Sequence, residues 1–213
     1  MTDLKNVFET IAATNHWGSV ESVSGLGSTL SYTYNLRHEL AGFLRDFKVK
    51  TLFDAPCGDF NWMRAVDVPD GMTYIGGDIA APIVEANAAK YTSETRRFVE
   101  FDITKDAFPE ADLWFCRDCL FHLPFALIVR ALRGFCRSNI PFVMMTTHLN
   151  TTNFENRDIK AGDFRLLDFH LAPFNLPRDV LYLFPDYVYS FPRREMCVWS
   201  REQIARALAK ASL

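Results

Sequence analysis

LFDAPCGDFNWM, residues 52–63, runs from an apolar, strand-like stretch into a turn that holds a single glycine, Gly58. In an open parallel sheet, ligands bind at the carboxyl ends of the strands where strand order reverses, and the first strand-to-helix turn belongs to that site. Asp54 to Asn61 is this turn. Glycine is required where backbone must approach a ligand closely, and only Gly58 qualifies, with the small Ala55 and Cys57 beside it. The G-x-G-x-x-G fingerprint of a dinucleotide site is absent. Asp59 is an alternative cap for a helix opening near Phe60.

Outward from this turn, apolar bursts of strand length alternate with longer amphipathic segments. The strand candidates are VKTLFDA (49–55), MTYIGGD (72–78), RFVEFD (97–102), ADLWFCRD (111–118), IPFVMMTT (140–147), a stretch near 180–184 and REMCVWS (194–200). APIVEANAAKY (81–91) and PFALIVRALRGFCRS (124–138) carry apolar residues three and four apart and open near a proline, as helices do. Alternation of this kind predicts parallel strands with crossover helices. Ser200-x-x-Gln203 predicts a capped closing helix over 200–211. Residues 148–193, with four prolines, read as loops over one end of the sheet. Residues 1–47 carry two helical pieces joined by the turn SGLGSTL (24–30), which divides the chain into an N-terminal helical lid, 1–47, and one compact domain, 48–213.

Composition narrows the function. A chain of 213 residues that is 49% hydrophobic can bury a sizeable core. A net charge of −3, with no stripe of basic and aromatic residues, argues against nucleic acid as a partner. No apolar run spans a bilayer and the N-terminus lacks a secretory core, so the expected location is cytoplasmic, with no membrane partner. Five scattered cysteines read as reduced thiols, and the C-x-x-C of Cys116 and Cys119 lacks a second ligand pair for zinc. No metal site is expected.

Two further acids lie at strand ends. Asp78 closes the second strand candidate, 20 residues beyond Gly58, the offset at which a carboxylate accepts ribose hydroxyls, and Asp102 closes the third. Three carboxylates along one rim repel a pyrophosphate but accept hydrogen bonds from ribose hydroxyls, an amino group and an ammonium. Those are donors of S-adenosylmethionine (SAM), and over residues 45–150 the sequence resembles the class I SAM-dependent methyltransferases. The resemblance rests on Asp54-x-x-Cys57-Gly58 as a variant first motif, Asp78 as the ribose acid, Asp102-Ile103 beside the adenine, and Arg117-Asp118-Cys119-Leu120-Phe121-His122-Leu123 as the fourth motif. It implies a Rossmann-like, doubly wound, mostly parallel seven-stranded α/β sheet with helices on both faces, and SAM as cofactor. It further implies cofactor contacts from Asp54, Cys57, Gly58, Asp78, Asp102, Ile103 and Arg117, with Trp17, Ser28 and Arg37 folding over the cofactor. Arg37 would meet the methionine carboxylate, or stand solvated on its helix.

Methyl transfer to a hydroxyl needs a base within hydrogen-bond reach. His122 follows Asp118 by four residues, so on a helix the carboxylate would orient the imidazole; the alternative is a buried structural histidine. His148 opens HLNTTNFENRDI, whose donors and acceptors suit a polyhydroxylated ligand or a solvated loop. Asp118, His122 and His148 are therefore the catalytic candidates. The expected activity is transfer to an oxygen of a small-molecule or glycan acceptor, the sugar assignment coming from resemblance to a bacterial subgroup. An NAD-dependent short-chain oxidoreductase and a non-catalytic SAM-binding protein are the alternatives. Oligomeric state is not legible.

Overall fold

The structure is a computed structural model that describes residues 3–188 and 192–210. The chain divides into two compact units, Met1–Asp102 and Ile103–Leu213.

The first unit contains helices α1 (Leu4–Ala13), α2 (Tyr34–Asp46) and α3 (Ala81–Tyr91) and strands β1 (Thr51–Asp54), β2 (Thr73–Asp78) and β3 (Arg96–Glu100). β1 pairs with β2 in parallel from Thr51↔Thr73 to Asp54↔Gly76, and β2 with β3 from Tyr74↔Arg96 to Asp78↔Glu100. Nearly every residue of β1 and β2 is buried, which is why both read as continuous apolar runs rather than alternating ones. Aromatic rings fill the space beside them: Phe60 meets Tyr74 and Phe98 at centroid distances of 5.0 and 5.2 Å. Gly76 makes room for this cluster, since a Cβ there would stand 2.6 Å from the Phe98 ring.

No α-helix follows β1. The β1–β2 connection holds only a single 3₁₀ turn, Met63–Ala65, and the expected helix start at Phe60 is overruled by its left-handed backbone, φ 57°. A right-handed helix cannot run through such a residue, so Asp59 is no helix cap.

The second unit contains β4 (Leu113–Cys116), α4 (Phe125–Arg137), β5 (Phe142–His148), β6 (Tyr182–Pro185), β7 (Arg194–Ser200) and α5 (Arg201–Lys210). β4 and β5 are parallel; β7 runs antiparallel to both β5 and β6. α4 buries Ile128, Val129, Leu132 and Phe135, the stripe its apolar spacing marks out. The α5 capping box forms reciprocally, Ser200 N–H to Gln203 Oε1 at 2.8 Å and Gln203 N–H to Ser200 Oγ at 3.2 Å. Ala211, the last residue expected in that helix, lies outside the described residues. Residues 149–181 carry no helix or strand.

The seven strands form one mostly parallel sheet of order β3-β2-β1-β4-β5-β7-β6, the α/β architecture expected from the sequence. Among the described residues no helix is long and apolar enough to cross a membrane.

Candidate functional site

In the first unit the glycine turn is built around Asp78. Its Oδ2 accepts the Gly58 N–H at 3.0 Å and its Oδ1 the Ala80 N–H at 2.9 Å. The residue is 6% exposed, and burial pushes its carboxyl up from the usual range against the pull of those two N–H groups. Asp54, also buried at the end of β1, accepts the Tyr74 hydroxyl at 2.6 Å. Cys57 is buried, donates its N–H to the Gly77 carbonyl at 2.8 Å, and has its thiol pushed well up by burial. Asn87 of α3 donates to the Gly58 carbonyl at 2.7 Å. Asp102 is buried two residues beyond the end of β3, and Ile103, buried, opens the second unit.

Gly58 has φ +54°, and a Cβ placed on it would lie 2.3 Å from Ser24 Oγ. The close approach that this glycine permits in the folded chain is therefore made by the N-terminal segment. That segment is tied down by Asp59, whose carboxylate accepts Ser22 Oγ–H and Val23 N–H, both at 3.0 Å, while Ser24 Oγ accepts the Asp59 N–H at 3.1 Å. Asn61 Nδ2 adds bonds to Glu21 Oε1 at 2.7 Å and to the Ser28 carbonyl at 3.0 Å. Ser28 is buried with its hydroxyl on the Ser24 carbonyl, Trp17 packs against Gly25, and Arg37 donates from Nη2 to the Leu30 carbonyl at 3.0 Å. The three lid candidates thus belong to a segment fastened to the glycine turn by Asp59 and Asn61.

In the second unit, Arg117 is buried in a two-point ion pair with Asp186, Nε to Oδ2 at 2.7 Å and Nη2 to Oδ1 at 3.1 Å. Arg194 Nη2 reaches Asp118 Oδ2 at 2.6 Å, and its Nε lies 3.6 Å from Asp186. Asp118 sits at φ 50°, held there by its N–H bond to Thr146 Oγ1 at 2.9 Å. Burial opposes its charge, but Arg117 and Arg194 hold the carboxyl below the usual carboxylate range.

The 118–122 segment is not an α-helix; only Leu120–His122 forms a 3₁₀ turn, so the four-residue spacing does not stack Asp118 beneath His122. His122 Nδ1 instead meets the Asp163 carbonyl at 2.9 Å. A carbonyl only accepts, so Nδ1 carries the hydrogen and the lone pair of the neutral ring lies on Nε2. His148 has the opposite tautomer: its Nδ1 accepts the Leu167 N–H at 3.2 Å, which leaves the hydrogen on Nε2. Burial lowers both pKa values, that of His148 to about 4 with Arg194 contributing. The rings share an aromatic cluster, with Phe121 4.6 Å from His122 and 5.0 Å from His148 and Phe164 about 6.0 Å from each. Asp158 accepts the Phe125 N–H at 2.7 Å, at the start of α4. Among the described residues no group of three or more His, Cys, Asp or Glu side chains could hold a metal ion.

Neither motif nor spacing singles out Ser24, Tyr74 or the Asp163 carbonyl as parts of the site. Asn87 alone had a usable signal, a polar residue three positions after Val84 on the buried stripe of α3.

No protein-family profile and no curated protein matches the sequence. Solved structures match the fold. The chain is similar to magnesium protoporphyrin IX methyltransferase from Synechocystis PCC 6803 with bound S-adenosylhomocysteine (SAH), at 12% identity, over 92% of this chain and 99% of that one, with a TM-score of 0.62. It is similar to a SAM-dependent methyltransferase from Leishmania major at 12% identity, over 93% and 86% of the two chains, with a TM-score of 0.67. Its likeness to the mitomycin 7-O-methyltransferase covers 80% of this chain and 53% of that one, at 14% identity and a TM-score of 0.59. The fold is that of the class I methyltransferases.

Proposed function

We propose that this chain is a SAM-dependent methyltransferase that transfers a methyl group to an oxygen of a small hydroxylated acceptor, a sugar or glycan precursor. The observation that carries the reading is the Asp78–Gly58 clamp: a buried carboxylate at the end of one parallel strand holds the backbone of the turn that ends its neighbour. The donor set of the cofactor suits these residues. Asp54 and Asp78 are acceptors, and ribose hydroxyls and an ammonium are donors.

When bound, SAM supplies a methyl group on a sulfonium. The chain's own residues position the acceptor and take its proton. His122, with Nδ1–H fixed on the Asp163 carbonyl, carries its lone pair on Nε2, the atom assigned to take the proton, and stays neutral because its pKa is lowered. His148 serves as a donor through Nε2–H, and Asp118, held ionised by two arginines, orients charge rather than moving a proton. The mitomycin enzyme's 7-O-methyl transfer supports an oxygen acceptor as chemistry this fold accommodates. A cytoplasmic location suits a chain in which none of the five cysteines forms a disulfide.

Calorimetric titration with SAM and SAH tests the reading. Binding of either supports it; wild-type protein that binds neither overturns it.

A further inference from the structure

Arg165 is 7% exposed, and its Nε, Nη1 and Nη2 atoms are all buried without a hydrogen-bond partner among the described residues. A guanidinium carries five N–H donors, and burying a charge with none of them satisfied is costly. The guanidinium carbon lies 4.9 Å from the Phe125 ring, and the Asp158 carboxylate attracts the charge.

The surroundings relate this charge to the imidazole that we assign as base. Residues 162–165 run alongside 121–125: Gly162 N–H donates to the His122 carbonyl at 2.9 Å, the Asp163 carbonyl meets His122 Nδ1, Phe164 packs on Phe121 and His122, and Arg165 stacks on Phe125. A second buried donor in the same cluster, Nε2–H of the 2% exposed His148, is likewise without a partner. Phe164, between these elements, is 56% exposed, an apolar plate at the surface. Arg165 lies in the irregular 149–181 connection, between Asp163 and Leu167, whose backbones are bonded to His122 and His148, so a ligand reaches it by local opening of that backbone.

We propose that Arg165 binds a carboxylate of the acceptor, so that the substrate is a hydroxylated carboxylic acid such as a sugar acid, its carboxylate on the guanidinium and a further oxygen on His148 Nε2–H. A planar carboxylate matches the guanidinium fork with two parallel bonds. A singly charged group balances the single guanidinium charge, whereas a doubly charged phosphate would leave excess negative charge, the more so beside the Asp158 carboxylate. The inference rests on the methyltransferase reading for the identity of the ligand as acceptor, though carboxylate binding can be measured without it.

The experiment titrates full-length protein, with and without SAH, against glucuronate, glucose and glucose 6-phosphate, and against 4-hydroxybenzoate and 4-hydroxybenzyl alcohol. At least one carboxylate is expected to bind at least ~10-fold more tightly than its neutral counterpart, with Arg165→Gln abolishing the difference while SAH affinity stays unchanged. Arg165→Met, which keeps an apolar contact with Phe125, is expected to leave the melting temperature of the ligand-free protein equal or higher. The proposal is overturned if no carboxylate outbinds its neutral counterpart, if glucose 6-phosphate binds best, if the preference survives in Arg165→Gln, or if Arg165→Met melts lower. Failure of SAH to bind, with carboxylate binding intact, counts against the methyltransferase reading alone.

Discussion

Ser24 Oγ accepts the Asp59 N–H at 3.1 Å and stands where a side chain on Gly58 would have to go. Gly58→Ala therefore meets two costs, a left-handed backbone and a clash, and should destabilise the protein by about 1–3 kcal/mol in urea unfolding. Adding Ser24→Gly should restore the steric part and leave the backbone part. With Ser24→Gly alone as the reference for the lost Asp59 bond, costs of the two changes that simply add would show that conformation alone demands this glycine.

Asp59 accepts bonds from Ser22 and Val23, some 36 residues away in sequence. Asp59→Ala should release residues 20–24, with faster amide exchange at Val23 while α2 keeps its protection. Unchanged exchange at Val23 would mean that packing holds the segment.

Asp78→Ala removes acceptors from two backbone N–H groups and from the proposed cofactor. Loss of charged hydrogen bonds worth about 1.5–3 kcal/mol corresponds to SAH binding roughly 10- to 150-fold weaker by calorimetry. Asp78→Asn retains one acceptor and should fall between Ala and wild type. Equal affinity in all three would remove Asp78 from the cofactor site.

The two histidines should separate kinetically. His122→Ala should lower kcat by about 10²–10⁴-fold, the worth of a positioned base. His148→Asn keeps an acceptor for the Leu167 N–H and should act chiefly on KM. Because the His122 pKa is lowered from 6.5, the acid limb of kcat/KM should fall below pH 6.5. A limb above that value, or a kcat loss confined to His148→Asn, would reverse the assignment.

His148 also ties stability to acid. Its pKa is about 4 in the folded chain against 6.5 for the ordinary imidazole, so between those values the unfolded chain binds a proton that the folded one refuses. The associated stability is complete above pH 6.5 and is lost as pH falls to about 4, by roughly 3 kcal/mol. His148→Asn should flatten that part of the pH–stability curve relative to wild type. An identical slope would show that His148 titrates normally.

Strands and helices were legible where burial imposes a period. β1, β2 and β5 appear as unbroken apolar runs because both faces are covered, and α4 as a stripe at spacings of three and four. The site was legible only as strand-end acids. Ser24 and Asp59, or Asp163 and His122, meet across 35 and 41 residues through irregular backbone, where no period announces a contact. Arg117 shows the limit most plainly: its pairing with Asp186, 69 residues on, is one that only folding reveals.

That pairing has an evolutionary corollary. Arg117, Asp186, Arg194 and Asp118 alternate in sign within one connected set, so the loss of any one of them leaves an unbalanced charge. Any single neutral replacement strands an ion in a poorly solvated place, whereas removing an opposed pair restores neutrality. Drift at these positions is thus confined to coordinated steps, and Arg117→Met with Asp186→Leu should be tolerated better than either change alone.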